Sequence, residues 1–541
     1  MSRTNWAWKI AKLFFPALKL PAVRRFVSRE YTDYLATRTP PRPTGYSLVS
    51  DLPKPAVGEG PITDYVSWRS LTDHKFSARH LPPIAAADTR AVEPPASSDG
   101  QWDATTELWR RRGRMDPCSR SSVLFAFFAQ WFTDSILQVD ASDRRKNTST
   151  HDIDLCQIYG QTEATTSLLR SRDPAQPGQL AHRLINGEEY LDLLFEENDG
   201  ELEPKSSYAE LPYVVRANGE PSVLDTVLGE AFRDRKASLY ATGLDRGNSS
   251  VGYVAVSTLF MREHNRLCRE LSREYPGWDS DRVFQTARNI NIVILLKLLL
   301  SDYINHILGE QLFQLEPAFA DRRAWYRPNW IAVEFDLLYR WHGLVPDELT
   351  LGGVAYEPNQ FRYNNPLLEE LGLGQSLSGV SALPAGRIGL GNTPEFLLGA
   401  EYESVRMSRL FRLASYNDYC ERFSLPRVTR FDDLSKNPDL VRRLQEMYGS
   451  VDKLEYLVGI YAEDGEDGVI LGRLMARMVA YDAITQIYSN PLICSDMYHE
   501  GTFTKLGLQA IEDATSLQAL VNRNVKGGSS FRVSLNTNSK A

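Results

Sequence analysis

Cysteine is scarce. The 541-residue chain has five (Cys118, Cys156, Cys268, Cys420 and Cys494), dispersed and without a CxxC pair. An odd, scattered set makes neither a disulfide framework nor the spacing of a zinc site. A reducing, cytoplasmic setting is the simplest expectation. Long apolar runs are missing too: the nearest candidate, Ile292 to Leu300, is broken by Lys297 and falls far short of the roughly 20 residues that cross a bilayer. There is no excess of positive charge. With 61 Lys+Arg against 69 Asp+Glu the net charge is −8, so the surface lacks the counterion-release term that drives nucleic-acid binding, and no nucleic-acid partner is expected. Internal repeats, long low-complexity tracts and strong strand signals are absent. An apolar fraction of 43% is ordinary for a globular chain, supplies a large core, and excludes a disordered, collagenous or coiled-coil protein.

The N-terminal stretch Trp6 to Tyr34 mixes Trp6, Trp8, Leu13, Phe14, Phe15, Phe26 and Val27 with Lys9, Lys12, Lys19, Arg24, Arg25 and Arg29. That mixture suits a helix lying in a membrane interface, its cations against anionic headgroups, and equally a helix docked on the protein's own body. Lys12 and Lys19 interrupt the unbroken apolar region that a signal peptide needs. Pro16 is expected to split the segment. Pro-rich, loop-like sequence follows at 40–61 and 82–100. The expected division is a segment 1–64, amphipathic and then linker, and a body 65–541. The body reads as mainly α, with apolar-periodic stretches at Ser122–Val139, Val251–Leu271, Val283–Leu308, Asn329–Gly343, Thr393–Leu413 and Ile470–Tyr488. Asn198–Pro221 is a polar excursion read as a hairpin.

Three clusters could carry chemistry. Gln130 and Asp134, four apart in Phe125-Ala-Phe-Phe-Ala-Gln130-Trp-Phe-Thr-Asp134, share one face of a helix. Tyr339 and His342, three apart in Tyr339-Arg-Trp341-His342, are expected to do the same. The third is the charged string Arg262-Glu263-His264-Asn265-Arg266, preceded by Arg246 in a turn-like stretch. Taken singly each has a plain structural reading: a hydrogen-bonded core histidine, a satisfied polar pair, a helix-end ion-pair network.

Taken together they resemble a known family. Phe125–Gln130, Asp152-Ile-Asp-Leu-Cys-Gln-Ile-Tyr159-Gly160, Arg262–Arg266, Ala332–His342 with Pro346-Asp347, Ala385-Gly-Arg387-Ile-Gly389 and Asn490-Pro-Leu-Ile-Cys494-Ser495 look like successive motifs of the cyclooxygenases. These are a branch of the animal-type haem peroxidase superfamily. Trp68 and its neighbours resemble the start of their catalytic domain. The motifs keep the family's order from about residue 65 to about 500.

The resemblance implies a mainly α catalytic domain at 65–541 holding haem b, with His342 as the axial iron ligand. Tyr339 falls on the tyrosine whose radical takes a hydrogen atom from a fatty acid, Tyr303 on its hydrogen-bonding partner, and Gln130 on the distal glutamine. It implies an unsaturated fatty acid and O2 as substrates, peripheral membrane contact, and a homodimer. Departures accompany the matches. Asp134 stands where the family has its distal histidine. A carboxylate can move the same proton only if its pKa lies near working pH; ionised, it would repel a peroxide anion. Arg246 matches the distal arginine of the myeloperoxidase branch. Glu310 replaces the tyrosine at the channel mouth, and Ala483 the serine that aspirin acetylates. The arginine that would hold a fatty-acid carboxylate is not assigned among Arg24, Arg25, Arg29 and Arg38. The expectation is a haem-dependent fatty-acid dioxygenase giving a hydroperoxide. Its alternatives are a hydroperoxide-processing haem peroxidase or a silent haem-binding scaffold.

Overall fold

Seven helices position the candidate site: α1 (Pro21–Arg38), α2 (Val123–Thr133), α3 (Val251–Glu274), α4 (Ser280–Leu298), α5 (Val333–Leu338), α6 (Leu398–Leu410) and α7 (Arg473–Tyr488). They come from a computed structural model, which describes residues 20–38, 47–48, 68–91, 102–216, 220–465 and 469–537. The expected domain boundary at 64/65, Pro16 and the stretch from Trp6 to Lys19 lie outside those residues.

α2 is apolar around its whole circumference, as a helix inside a core must be. Every residue of it is buried except Gln130. α3 starts at Ser250, whose hydroxyl accepts from the Tyr253 amide at 3.3 Å, an N-cap, and packs against α2 and α4. The α2–α3 approach depends on a missing side chain: a Cβ on Gly252 would lie 2.0 Å from the Phe127 ring. α4 runs on through a π-helical turn, Leu299–Ile304, into Asn305–Leu308, and stops at Gly309 in the left-handed region. By length and composition Ser280–Leu308 could cross a membrane, but 83% of its most apolar window is buried within the protein. It is a core helix.

Sheet is confined to two-stranded pieces among the described residues. One of them matters for the site: β1 (Pro117–Ser122) pairs antiparallel with β2 (Pro384–Gly386), tying the entry of α2 to a segment far along the chain. The expected hairpin at Asn198–Pro221 starts earlier, as Phe195–Asn198 against Glu201–Pro204. Asp199 and Gly200 make its turn with positive φ, the geometry hairpins favour. A second hairpin, His182–Ile185 with Glu188–Leu191, turns on Asn186-Gly187, an Asn-Gly signal that the helical reading passed over.

The N-terminal segment, where described, docks on the protein itself. α1 packs on α7, Trp325 Nε1 donates to Asp33 at 2.8 Å, and Arg29 pairs with Glu316 at 2.9 Å. Leu20 and Phe26 nonetheless stay exposed, at 60% and 64%.

Replacing Gly252 with alanine should force α2 and α3 apart at Phe127. Overpacking of this kind costs about 1–3 kcal/mol, so Gly252→Ala should melt about 1–3 °C lower; an unchanged melting temperature would show that the two helices do not need this contact.

Candidate active site

The expected single helix over Asn329–Gly343 is not formed, and Tyr339 and His342 do not share a helix face. α5 ends at Leu338. Tyr339 caps it at φ −87, ψ 15, Trp341 has left helical geometry at φ −84, ψ 44, and His342 opens a separate 3-10 turn, His342–Leu344. The break has identifiable causes. The Tyr461 hydroxyl takes the helix-end carbonyls of Leu338 and Leu337 at 3.0 and 3.4 Å, groups that a continuing helix would need for itself. Arg340 grips both oxygens of Asp336 at 2.8 and 2.9 Å. Arg111 donates to the Val345 carbonyl at 2.8 Å, and the Asn392 amide to those of Arg387 and Gly343 at 2.8 and 3.3 Å. Gly386 closes the cradle from β2: a Cβ there would lie 2.0 Å from the Gly343 carbonyl oxygen. The turn is bolted in place on three sides.

Tyr339 points into an aromatic enclosure of Phe132, Phe335 and Trp341, with ring centroids 6.2, 5.0 and 4.6 Å away. Tyr303 joins it from the π-helical turn, stacked on Phe125 at 5.2 Å and edge-on to Phe132 at 4.8 Å. An irregular turn of this kind re-aims the side chains it carries, and such turns gather at functional sites. Burial pushes the Tyr339 phenol well up, with the neighbouring Tyr303 hydroxyl pulling the other way. Neither hydroxyl has another hydrogen-bond partner. Two buried phenol hydroxyls with no other hydrogen-bond partner among the described residues are a costly arrangement in a core.

On α2, Gln130 and Asp134 do lie one turn apart: the Asp134 amide donates to the Gln130 carbonyl at 3.0 Å. Their surroundings differ. Gln130 is exposed, whereas Asp134 caps the helix in a buried position, 3.7 Å from the guanidinium of Arg246. Burial pushes the Asp134 carboxyl up to about 6, against the pull of Arg246 and of the nearby Tyr253 hydroxyl. Arg246 itself is held above its usual range once Asp134 and Asp245 offset its burial. The anion–anion repulsion expected at Asp134 is thus met by a cation in contact with it.

The string Arg262–Arg266 is structural. His264 sits between the Tyr159 hydroxyl (2.9 Å) and the Gly178 carbonyl (3.0 Å), and buried Glu263 pairs with Arg266 and Arg523. Ala483 lies buried on α7 beside Asp482, which pairs with His80 at 3.3 Å; the charge of Asp482 reaches the Tyr339 phenol. Glu310 follows the end of the Tyr303 helix, and its charge is felt by Arg120. Among the four candidate arginines, Arg25 and Arg29 pair with Glu316 and Arg38 lies over the Tyr34 ring. Arg24 differs from these. It donates to the Phe313 carbonyl at 3.1 Å and keeps a buried Nε with no partner.

Two features escaped the sequence reading. His342 Nδ1 lies 3.1 Å from the carboxylate of Glu401, which stands on α6 far along the chain. Tyr253 sits beside Asp134 from α3. Neither has a local motif, and only the packing brings them in.

The helical scaffold thus carries a partly exposed histidine on a rigid turn, a tyrosine with a buried hydroxyl three residues before it, and an acid–arginine pair at the end of α2. The family model for the animal haem peroxidases matches residues 114–371 and 403–536. Prostaglandin G/H synthase 2 of Gallus gallus is 30% identical over 471 residues, covering 86% of this chain and 73% of that protein. Prostaglandin G/H synthase 1 of Rattus norvegicus is 28% identical over 474 residues, with the same coverage. Among solved structures, a fatty acid alpha-dioxygenase of Oryza sativa superimposes with TM-score 0.66 at 16% identity, covering 100% of this chain and 98% of its own. Peroxidase A of Dictyostelium discoideum gives 0.64 at 17%, covering 85% and 95%. The chain belongs to the animal haem peroxidases, on their cyclooxygenase-like branch, and is a haem-dependent oxidoreductase.

The residues present fit the haem. One nitrogen of His342 faces a carboxylate, which leaves the other for iron, on a ring that is 21% exposed. Asp134 accepts a proton only when ionised. Hydroperoxide cleavage by the haem-loaded protein should therefore rise as pH passes through about 6, from the protonated form below to the carboxylate above. Asp134→Asn should lose that inflection and slow the step on the order of 100-fold. A flat pH profile in the unsubstituted protein would remove Asp134 from proton transfer.

Proposed function

We propose that this protein is a fatty-acid dioxygenase that uses haem b, held by His342, to load an oxidising equivalent onto Tyr339. The observation that carries the reading is the Tyr339 hydroxyl: buried, ringed by aromatics, in polar contact with Tyr303 alone, and three residues from His342. The bound haem supplies peroxide-dependent one-electron oxidation. The chain's own residues do the rest. Tyr339, as its phenoxyl radical, takes a hydrogen atom from a methylene of an unsaturated chain and becomes the phenol. O2 adds to the carbon radical. The resulting peroxyl radical takes the hydrogen atom back from Tyr339, which releases a lipid hydroperoxide and restores the radical. The aromatic wall excludes water and stray reductants that would quench it. Tyr303 steadies the phenol by a hydrogen bond, and Asp134 with Arg246 handles the proton of the priming hydroperoxide.

Arg24 is the group we assign to the substrate carboxylate. It is a partly buried cation with a spare N–H, it is held below its usual pKa range by burial, and it lies beside the segment that follows the Tyr303 helix. An arginine takes a carboxylate with charge-assisted hydrogen bonds. Exposed Leu20 and Phe26 at the start of the same helix suit peripheral contact with the lipid that supplies substrate.

A second reading, hydroperoxide processing without oxygenation, is favoured by one observation: the Asp134–Arg246 contact is a complete acid–cation pair without Tyr339. Oxygen uptake separates the two. With oleate, linoleate or arachidonate and a trace of hydroperoxide, the haem-loaded protein should consume O2. Tyr339→Phe should bind haem with an unchanged spectrum and consume none. Turnover of hydroperoxide with no uptake on any of these acids would favour the second reading.

The carboxylate assignment has its own measurement. Arg24→Leu should raise KM for the free acid on the order of tenfold or more while leaving the methyl ester's unchanged; equal effects on both would place the carboxylate elsewhere.

A further inference from the structure

Glu401 is one of the most deeply buried carboxylates in the protein, at 1% exposure, and a buried carboxylate is costly unless it is paired. It stands in the first turn of α6, where the helix dipole favours negative charge. That accounts for an acid at this end of the helix but not for one turned inward. Two groups meet it there, both at Oε1: the Thr393 hydroxyl donates at 2.7 Å, and His342 Nδ1 lies at 3.1 Å. Thr393 is fixed in turn, its amide donating to the Trp109 carbonyl at 2.9 Å. His342 Nδ1 is buried and, among the described residues, makes no hydrogen bond; Glu401 lies within ion-pair distance of it and is the acceptor placed to take its hydrogen.

We propose that Glu401 is a positioning residue for the axial histidine: it accepts the Nδ1 hydrogen of His342, sets the tautomer whose Nε2 faces the iron, and strengthens that nitrogen as a donor. The inference rests on His342 being the haem ligand. A carboxylate on the far nitrogen of a metal-bound imidazole raises its basicity and fixes its ring plane. A more basic axial donor favours the ferric over the ferrous state and assists cleavage of a peroxide O–O bond on the opposite face. In this chain that assistance has a particular place. The distal proton carrier is a carboxylate rather than the family's histidine, and the proximal carboxylate adds electron donation from the other side. Thr393 holds Glu401 ready without neutralising it, because a hydroxyl is a weaker donor than an imidazole N–H on iron.

The test uses the haem-loaded, full-length protein and Glu401→Gln, which keeps the size of the side chain and an oxygen for Thr393. In the ferrous form the iron–histidine stretching band should shift to lower frequency in the variant. The ferric/ferrous midpoint should become more positive, and hydroperoxide cleavage should slow by about 10–100-fold. Thr393→Val, which loosens Glu401 while leaving its charge, should move the same band in the same direction by less; it serves as the second variant if Glu401→Gln takes up no haem. A band and midpoint unchanged in Glu401→Gln, in a protein whose axial spectrum is lost in His342→Ala, would overturn the role of Glu401 alone. An axial spectrum retained in His342→Ala would overturn the ligand assignment and this proposal with it.

Discussion

The termination of one short helix at Leu338 governs the geometry of the site. Had α5 continued, Tyr339 and His342 would lie on one helical face, and both would be committed to the same wall. Instead the Tyr461 hydroxyl takes the helix-end carbonyls, Arg340 turns back onto Asp336, and Asn392 and Gly386 hold the next turn from the far side. The chain then presents the tyrosine among aromatic rings with its hydroxyl buried, and the histidine on a partly exposed turn.

Charge is placed with the same economy. Two buried carboxylates near the candidate residues each have a specific partner: Asp134 with Arg246, and Glu401 with Thr393 and His342. The substitution of an acid for the distal histidine looks disabling in sequence because an isolated ionised carboxylate would repel a peroxide. Burial shifts its titration to about 6, and a cation in contact answers the repulsion.

How much of this was legible beforehand differs by residue. The buried helices announced themselves by apolar periodicity, and α2, with Gln130 as its one exposed residue, is nearly readable by eye. The ordered motifs were enough to identify the family and to nominate Tyr339, His342, Gln130, Asp134 and Tyr303. The helical reading of Asn329–Gly343 failed because periodicity reports which residues are apolar, not whether a distant hydroxyl has claimed the backbone carbonyls. The hairpin at Asn186-Gly187 was missed because its strands are only four residues each and carry little apolar alternation, leaving the turn signal alone to mark it.

Sequence by itself determined the class of protein and the helical core and nominated the candidate site residues, because these depend on composition, on local periodicity and on short strings of residues. Only the tertiary structure decided which polar groups face them. Glu401 against His342 and Arg246 against Asp134 each join segments far apart in the chain. The physical reason is that a buried charge or phenol takes its pKa, its tautomer and its partner from whatever packs within a few ångströms of it, and that is a property of the fold.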